Sequence, residues 1–177
     1  MTPDLLQPAD WLASYLSELP SLAWQVGETP GPEPGDDPVP VMERLPVLVD
    51  RQLDLEATVA EAVAKALGSV LLIGLAGWTP VDPEECRSRL TLDLTFNLSL
   101  WSVPVMAGAT MPAQSELLAR VLVEIARFVP QAHEDDALPM PSHLSRWKQS
   151  RGELAATKHF ITYTWNATTR VEVDLKQ

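Results

Sequence analysis

Cysteine is nearly missing from this chain: Cys86 is the only one in 177 residues. That excludes an intrachain disulfide and a cysteine-based zinc site. Cys86 stands beside Glu84, Glu85 and Arg87 with no base placed to activate it, and reads as an ordinary loop thiol. Histidine is scarce too, and His133, His143 and His159 have neither metal-ligand spacing nor a neighbouring cysteine. His133-Glu-Asp-Asp136 has the donor types for a divalent cation. Contiguous loop side chains rarely converge on one ion, so the stretch reads as a solvated acidic turn, and no metal or cofactor is expected. The longest apolar run, Val70 to Trp78, falls short of the roughly 18 residues needed to cross a bilayer. The opening MTPDLLQPAD has neither the basic nor the apolar region of a secretory signal, which predicts a protein that stays in the cytoplasm where it is made. Without that signal, the Asn166-Ala-Thr168 sequon is idle. No G-x-S-x-G elbow is present for acyl transfer. Gly74-Leu-Ala-Gly77 lacks the glycine spacing and the following Lys-Ser/Thr of a phosphate loop.

Positive charge is also in short supply: 13 Lys and Arg face 24 Asp and Glu, for a net charge of −11. A protein that grips nucleic acid through its phosphates normally shows a basic face, so sequence-specific nucleic-acid binding is not expected. The charge is unevenly placed. Glu28, Glu33, Asp36, Asp37, Glu43, Asp50, Asp54 and Glu56 face only Arg44 and Arg51 between positions 28 and 56. Between His143 and Lys158 the sign reverses, with Arg146, Lys148, Arg151 and Lys158 against Glu153. The two segments read either as solvated loops or as complementary surfaces for self-association.

What the chain does have is one strong pattern. Leu90, Leu92, Leu94, Phe96, Leu98 and Leu100 alternate with Thr91, Asp93, Thr95, Asn97 and Ser99. Period two over such a length predicts a long strand with one apolar and one polar face. The natural cover is the amphipathic helix predicted over 113–128, with Leu117, Leu118, Val121, Leu122, Ile125 and Phe128 on one face. Glu116 with Arg120, and Arg120 with Glu124, make i,i+4 pairs on its other face.

Upstream, a helix is predicted over 8–19, with Pro8 in its first turn and Trp11, Leu12, Tyr15, Leu16 and Leu19 on one face. A short strand over 22–26 follows. The segment 28–38, with four prolines and two glycines, reads as a mobile acidic loop. Pro40 and Pro46 restrict 39–49 to an edge strand or an arm. A second helix is predicted over 54–67, capped by Asp54 and stopped at Gly68, with Leu55, Val59, Ala62, Val63 and Ala66 as its apolar face. Ser69 to Trp78 reads as a central strand covered on both faces and antiparallel to the alternating one, with Gly74 and Gly77 marking a bulge or a close approach. The stretch 131–158 reads as a long irregular loop with a turn of helix near 142–149. The chain is predicted to close in a β-hairpin of 159–165 and 170–175 around Asn166-Ala-Thr-Thr169. The expected fold is one α+β domain over 1–177: a mixed, largely antiparallel sheet covered by two or three amphipathic helices, with a C-terminal hairpin.

Six tryptophans are the unusual resource. Trp11, Trp101 and Trp165 lie in regular elements and are expected in the core, and Trp24 ends a short segment. Trp78, at a strand end, and Trp147, in a charged loop, fit either local packing or anchors in an interface.

The order of elements is the one family-level lead. An amphipathic helix is followed by an alanine-rich helix ending in glycine and by the strand Ser69-Val-Leu-Leu-Ile-Gly-Leu-Ala-Gly77. Then come a long alternating strand, an amphipathic helix ending near Pro130, a polar loop with a tryptophan and a closing hairpin. Over roughly 53–175 this resembles the tail terminator and tail completion proteins of long-tailed bacteriophages. The acidic proline-rich region 23–50 has no counterpart in that pattern. The resemblance implies a structural virion protein without an active site. It would form a homo-oligomeric ring, typically a hexamer, at the head-proximal end of the tail tube. Its partners would be itself, the tail-tube protein and head-connector proteins, with no membrane and no cofactor. The expected interface residues are Trp78, Arg146, Trp147, Lys148, Arg151, Asp36 and Asp37.

Two rivals belong to other classes. One is a small acidic binding module, an inhibitor, immunity protein or chaperone, for a basic protein. The other is an enzyme whose site converges from distant polar residues such as Asp93, Asn97, Arg120 and His159.

Overall fold

The strand built from the alternating leucines organises the structure. The computed structural model describes residues 4–33, 35, 37–51, 57–81, 89–104, 112–129 and 146–174. Along the chain run α1 (Gln7–Glu18), a 3-10 turn (Pro20–Leu22), β1 (Ala23–Thr29), β2 (Val39–Arg44), β3 (Val47–Asp50) and α2 (Ala57–Leu67). Then follow β4 (Ser69–Pro80), β5 (Arg89–Ser102), α3 (Gln114–Arg127), β6 (Lys148–Gln149), β7 (Glu153–Ala156) and β8 (Ile161–Asp174). The fold is α+β. Its main sheet has the order β3-β4-β5-β8-β6, with β7 also on β8, while β1 and β2 form a separate two-stranded ribbon.

Leu94, Phe96, Leu98 and Leu100 of β5 are fully buried, and Leu92 nearly so. Their cross-strand partners on β8 are Thr169, Ala167, Trp165 and Tyr163, with Val171 opposite Leu92. Antiparallel partners share a face, so these residues, with Leu71 and Ile73 of β4, make one apolar surface. Two helices cover it: α1 with Ala9, Leu12 and Leu16, and α3 with Leu117, Val121 and Ile125, all fully buried. Each of the larger aliphatic side chains is worth about 1.5–3 kcal/mol when removed from water.

The other face is covered only in part. β3 and β4 run parallel, so the chain must cross over between them, and α2 is that crossover. It ends where Gly68 takes φ 87°, and the Gly68 N–H bonds to the Ala64 carbonyl at 2.8 Å. Ala60 and Ala64, one turn apart and fully buried, set α2 against Val70, Trp101 and Phe160. The apolar face of this helix is therefore rotated from the one expected. Val59, Ala62 and Ala66 are exposed, because the small Cβ atoms at 60 and 64 allow the closest approach to the sheet. Leu55 lies outside the described residues.

A β-bulge shifts the phase of β4. Leu75 pairs with Phe96, but Gly77 pairs with Thr95 and Trp78 with Leu94, so Ala76 is extra. Trp78 therefore shares the face of Leu94 at the strand's far end, where it is exposed. Gly74 is not a close approach: a Cβ there would lie 3.6 Å from Asp50 Cβ, an ordinary contact.

The C-terminal hairpin exists, but its turn is elsewhere. β8 is one strand of 14 residues, paired with β5 throughout, and Asn166 to Thr169 are in its middle. Asn166 and Thr168 point away from the core face while Ala167 and Thr169 point into it and are buried. A run of small polar residues resembles a turn, yet here it keeps the alternation. The turn lies at Thr157–Phe160, where Thr157 Oγ1 accepts the Phe160 N–H at 3.1 Å and the Thr157 N–H donates to the Phe160 carbonyl at 2.8 Å. The returning strand is β6 with β7, so 146–158 is no irregular loop and 146–149 no helical turn. Residues 131–145 and Asp54 lie outside the described residues. The segment 39–49 is both things expected of it: β2 belongs to an arm, and β3 is a sheet edge.

Candidate interaction surfaces

Three surfaces emerge from this architecture. The first is the polar side of the sheet beyond the reach of α2. Asp93, Thr95, Asn97 and Ser99 of β5 lie opposite Arg170, Thr168, Asn166 and Thr164 of β8. Arg170 grips Asp93 with both arms of its guanidinium, Nε to Oδ1 at 2.7 Å and Nη2 to Oδ2 at 3.0 Å. The bonds from Arg170 hold the Asp93 carboxyl below its ordinary range; burial opposes that, and the charges of Arg170 and Lys148 add to it. Ser99 and Thr164 hydroxyls are 3.2 Å apart. Towards β3 this face hollows into an open cavity of about 300 Å³, lined by Asp50, Leu72, Gly74, Leu75, Ala76, Asn97 and Ser99. Missing side-chain bulk at Gly74 and Ala76 makes the hollow. It offers a carboxylate, an amide and a hydroxyl, enough to hydrogen-bond a polar group but with Asp50 as its one titratable described residue.

The second surface is the β1–β2 arm. Its root is in the core through Leu22, Trp24 and Leu45, all buried. Beyond Trp24 nothing of β1 is buried, and β2 is exposed save for half-buried Glu43. Val26, Val39, Val41 and Met42 are between 38 and 53% exposed. An isolated two-stranded ribbon is marginal in water, so this is an element short of cover. Asp37, in the connection between the two strands, is exposed; Asp36 lies outside the described residues.

The third surface is the β6–β7 edge. Every residue of Glu153–Ala156 is exposed, including Leu154 at 65%. Arg146, Lys148, Arg151 and Lys158 are exposed along it and make no ion pair with any described residue. Gly152 lets this edge lie on β8: its N–H donates to Tyr163 Oη at 3.1 Å, and a Cβ there would sit 2.5 Å from Tyr163 Cζ.

The expected interface residues are thus separated. Arg146, Lys148 and Arg151 share one edge, Asp37 belongs to the arm's connection, and Trp78 stands exposed at the end of β4. Trp147 is withdrawn from the accessible set: it is 5% exposed, with its ring 5.1 Å from that of Phe96 in the core. Its place next to β6 turns it inward, onto the apolar face. Leu154 and the arm's Val39, Val41 and Met42 are the residues that sequence reasoning misses. Their signal is an unexplained apolar residue in an otherwise charged or proline-rich stretch.

The four polar residues considered for a converging enzyme site do not meet. Asn97 lines the open face, whereas Arg120 lies on α3 across the sheet, where its Nη1 donates to the Ser21 carbonyl at 3.0 Å and Nη2 bonds Glu116. Asp93 is held by Arg170, and His159 is exposed in the Thr157–Phe160 turn. The expected Arg120–Glu124 pair is replaced. Buried Glu124 accepts from Tyr15 Oη at 3.1 Å and pairs with Arg127 at 3.3 Å, tying α3 to α1. Burial and that bond to Glu124 push the Tyr15 hydroxyl above its ordinary pKa.

No group of three metal-ligating side chains occurs among the described residues; His133–Asp136 and Cys86 lie outside them. No described helix is long and apolar enough to cross a membrane. No protein-family model matches this chain, and no curated protein matches it.

Proposed function

We propose that this chain is a structural assembly protein, a tail terminator or tail completion protein that forms a homo-oligomeric ring at the head-proximal end of a phage tail tube. One observation carries the self-association: an acidic, uncovered arm leads into β3 at one edge of the sheet, and the other edge, β6–β7, carries Arg146, Lys148, Arg151 and Lys158 on and beside its strands against the one acid Glu153. Surfaces of opposite charge on opposite edges suit head-to-tail contacts, which close into rings when the rotation permits. The order of helices and strands supports the tail assignment by its likeness to that family. The ring would meet tail-tube protein on one side and head-connector proteins on the other, with no catalytic step.

The test has two parts. Reversing Arg146, Lys148 and Arg151 together should abolish assembly of a protein that still melts as the parent does. The parent assembly should also weaken with salt, since screening shortens charge contacts to about 8 Å at physiological ionic strength. In the phage that encodes the chain, its removal should leave tails of abnormal length or unjoined to heads. Normal tails joined to heads without it overturn the tail assignment.

The −11 charge and the acidic arm favour a second reading, a binding module for a basic protein. A stable one-to-one complex with such a protein, seen by native mass spectrometry in place of a ring, would select it.

A further inference from the structure

We infer that the β1–β2 arm of one copy docks along the β6–β7 edge of the next, with β1 adding to the sheet as a further strand. This rests on the self-association proposed above and not on the tail assignment.

The arm needs a partner, and its chemistry says which. Val26, Val39, Val41 and Met42 are exposed on a ribbon that covers neither of its faces. Glu28 and Glu43, with Asp37 beyond the strands, give it negative charge against the single Arg44. The β6–β7 edge has the complementary set: Leu154 at 65% exposure, with Lys148, Arg151 and Lys158 around it outweighing the one exposed acid, Glu153. It pairs with β8 on one side only among the described residues. The outward N–H and C=O groups of such an edge are a template for another strand.

β1 is the better donor of the two arm strands. Pro40 interrupts the donors of β2, whereas Ala23–Thr29 contains no proline. The arm does not occupy the edge of its own copy, where β6 and β7 pair only with β8 among the described residues. The arm's root, where the Leu45 N–H bonds the Leu22 carbonyl, leads straight into β3, and β3 and β6–β7 are at opposite ends of the sheet. A neighbour therefore supplies the edge. Its own arm then reaches the next copy, so the contact is heterologous and repeats.

The test uses the full chain in two isotopic forms, light and heavy, mixed and treated with a carbodiimide that joins carboxylates to lysines in contact. Light-to-heavy peptides joining Glu28 or Glu43 to Lys148 or Lys158 are expected. Sedimentation should show an assembly in the parent that is lost in Leu154→Arg and in Val41→Asp. Both sites are exposed, so each variant should melt as the parent does. A parent that assembles equally well in both variants, or whose mixed cross-links avoid these segments, overturns the docking and leaves self-association standing. A parent that is monomeric up to millimolar concentration, with no mixed cross-links, overturns both.

Discussion

Arg170 reaches across from β8 to hold both carboxylate oxygens of Asp93 on β5, at 2.7 and 3.0 Å, in the register that makes the two residues direct cross-strand partners. The pair lies on the open polar face, with each side chain about one-third exposed (36 and 33%). Its carboxyl titrates below the usual range because the guanidinium donates to the charged form. A carboxylate whose folded pKa is depressed contributes stability above its unfolded value, near pH 4, and loses that contribution as pH falls through the folded value. Solvent screening keeps the contribution modest, below about 1 kcal/mol. Asp93→Asn should therefore lower the melting temperature slightly at neutral pH and cost nothing at pH values below the folded pKa. An equal loss at both ends of the pH range would show that packing, not charge, is what the substitution removes.

The buried side of α3 is set by Leu117, Val121 and Ile125, while Leu118 and Leu122 are at the margin of the core. Leu117→Ala should cost about 2–5 kcal/mol in chemical denaturation, and Leu118→Ala clearly less. The reverse order would rotate the helix by one residue from the face described.

Trp147 and Trp165 test whether a buried indole is held by shape or by its N–H. Trp165 Nε1 donates to Gln149 Oε1 at 3.1 Å, while Trp147 Nε1 has no partner among the described residues. Trp147→Phe removes a donor that makes no bond, and should cost roughly 1 kcal/mol, the centre of the range for single substitutions. Trp165→Phe loses a hydrogen bond besides, and leaves Gln149 with an unmet acceptor. Trp147→Ala, by contrast, empties the site against Phe96 and should cost about 3–5 kcal/mol. A Trp147→Ala protein as stable as its parent would place that ring outside the core.

These side chains also show what can be read from sequence and what cannot. Leu90 to Leu100 announces β5 and its apolar face because every second residue agrees, and Leu92, Leu94, Phe96, Leu98 and Leu100 are buried. The antiparallel β4–β5 pair, the central place of β4 and the bulge near Gly77 follow from local signals as well. The facing of α2 does not. Val59 and Ala60 are both apolar, and only the sheet chooses between them. The strand Glu153–Ala156 has no alternation of its own, so its short hairpin with 161–164 is masked although the pairing is local. Trp147 is hidden in another way: a basic stretch masks a residue that the strand turns inward. The interaction surfaces are legible as charge but not as geometry. Acid near residue 28 and base near residue 148 are visible at once, whereas the separate ribbon that carries the first and the sheet edge that carries the second depend on strand pairing.

Gly152 is the position where a single carbon decides whether the β6–β7 edge can form. A Cβ built there would lie 2.5 Å from Tyr163 Cζ, 2.6 Å from its Oη and 2.7 Å from the Thr164 carbonyl oxygen. Atoms in a packed interior do not approach so closely, and the Thr164 oxygen belongs to β8 backbone that is paired with β5 on its other side. The Tyr163 ring could swing away, but only by giving up its bond from the Gly152 N–H at 3.1 Å and its contact with Trp165, 5.5 Å between ring centres. Gly152→Ala should therefore cost about 1–3 kcal/mol, the usual range for overpacking. Pairing Gly152→Ala with Tyr163→Ala separates the two obstacles. If the ring is the main one, the second change relieves part of the first, and the double variant loses less than the sum of the singles. If the Thr164 carbonyl is the main one, the losses add. The same variant bears on assembly, because Leu154 and Lys148 flank the distorted residue on the edge. Amide exchange should quicken first at 153–156 in Gly152→Ala, before the β5–β8 pairing is affected, since a strand held on one side opens more easily than one held on both. Unchanged protection at 153–156 would mean that the edge is held by something other than its contact with β8.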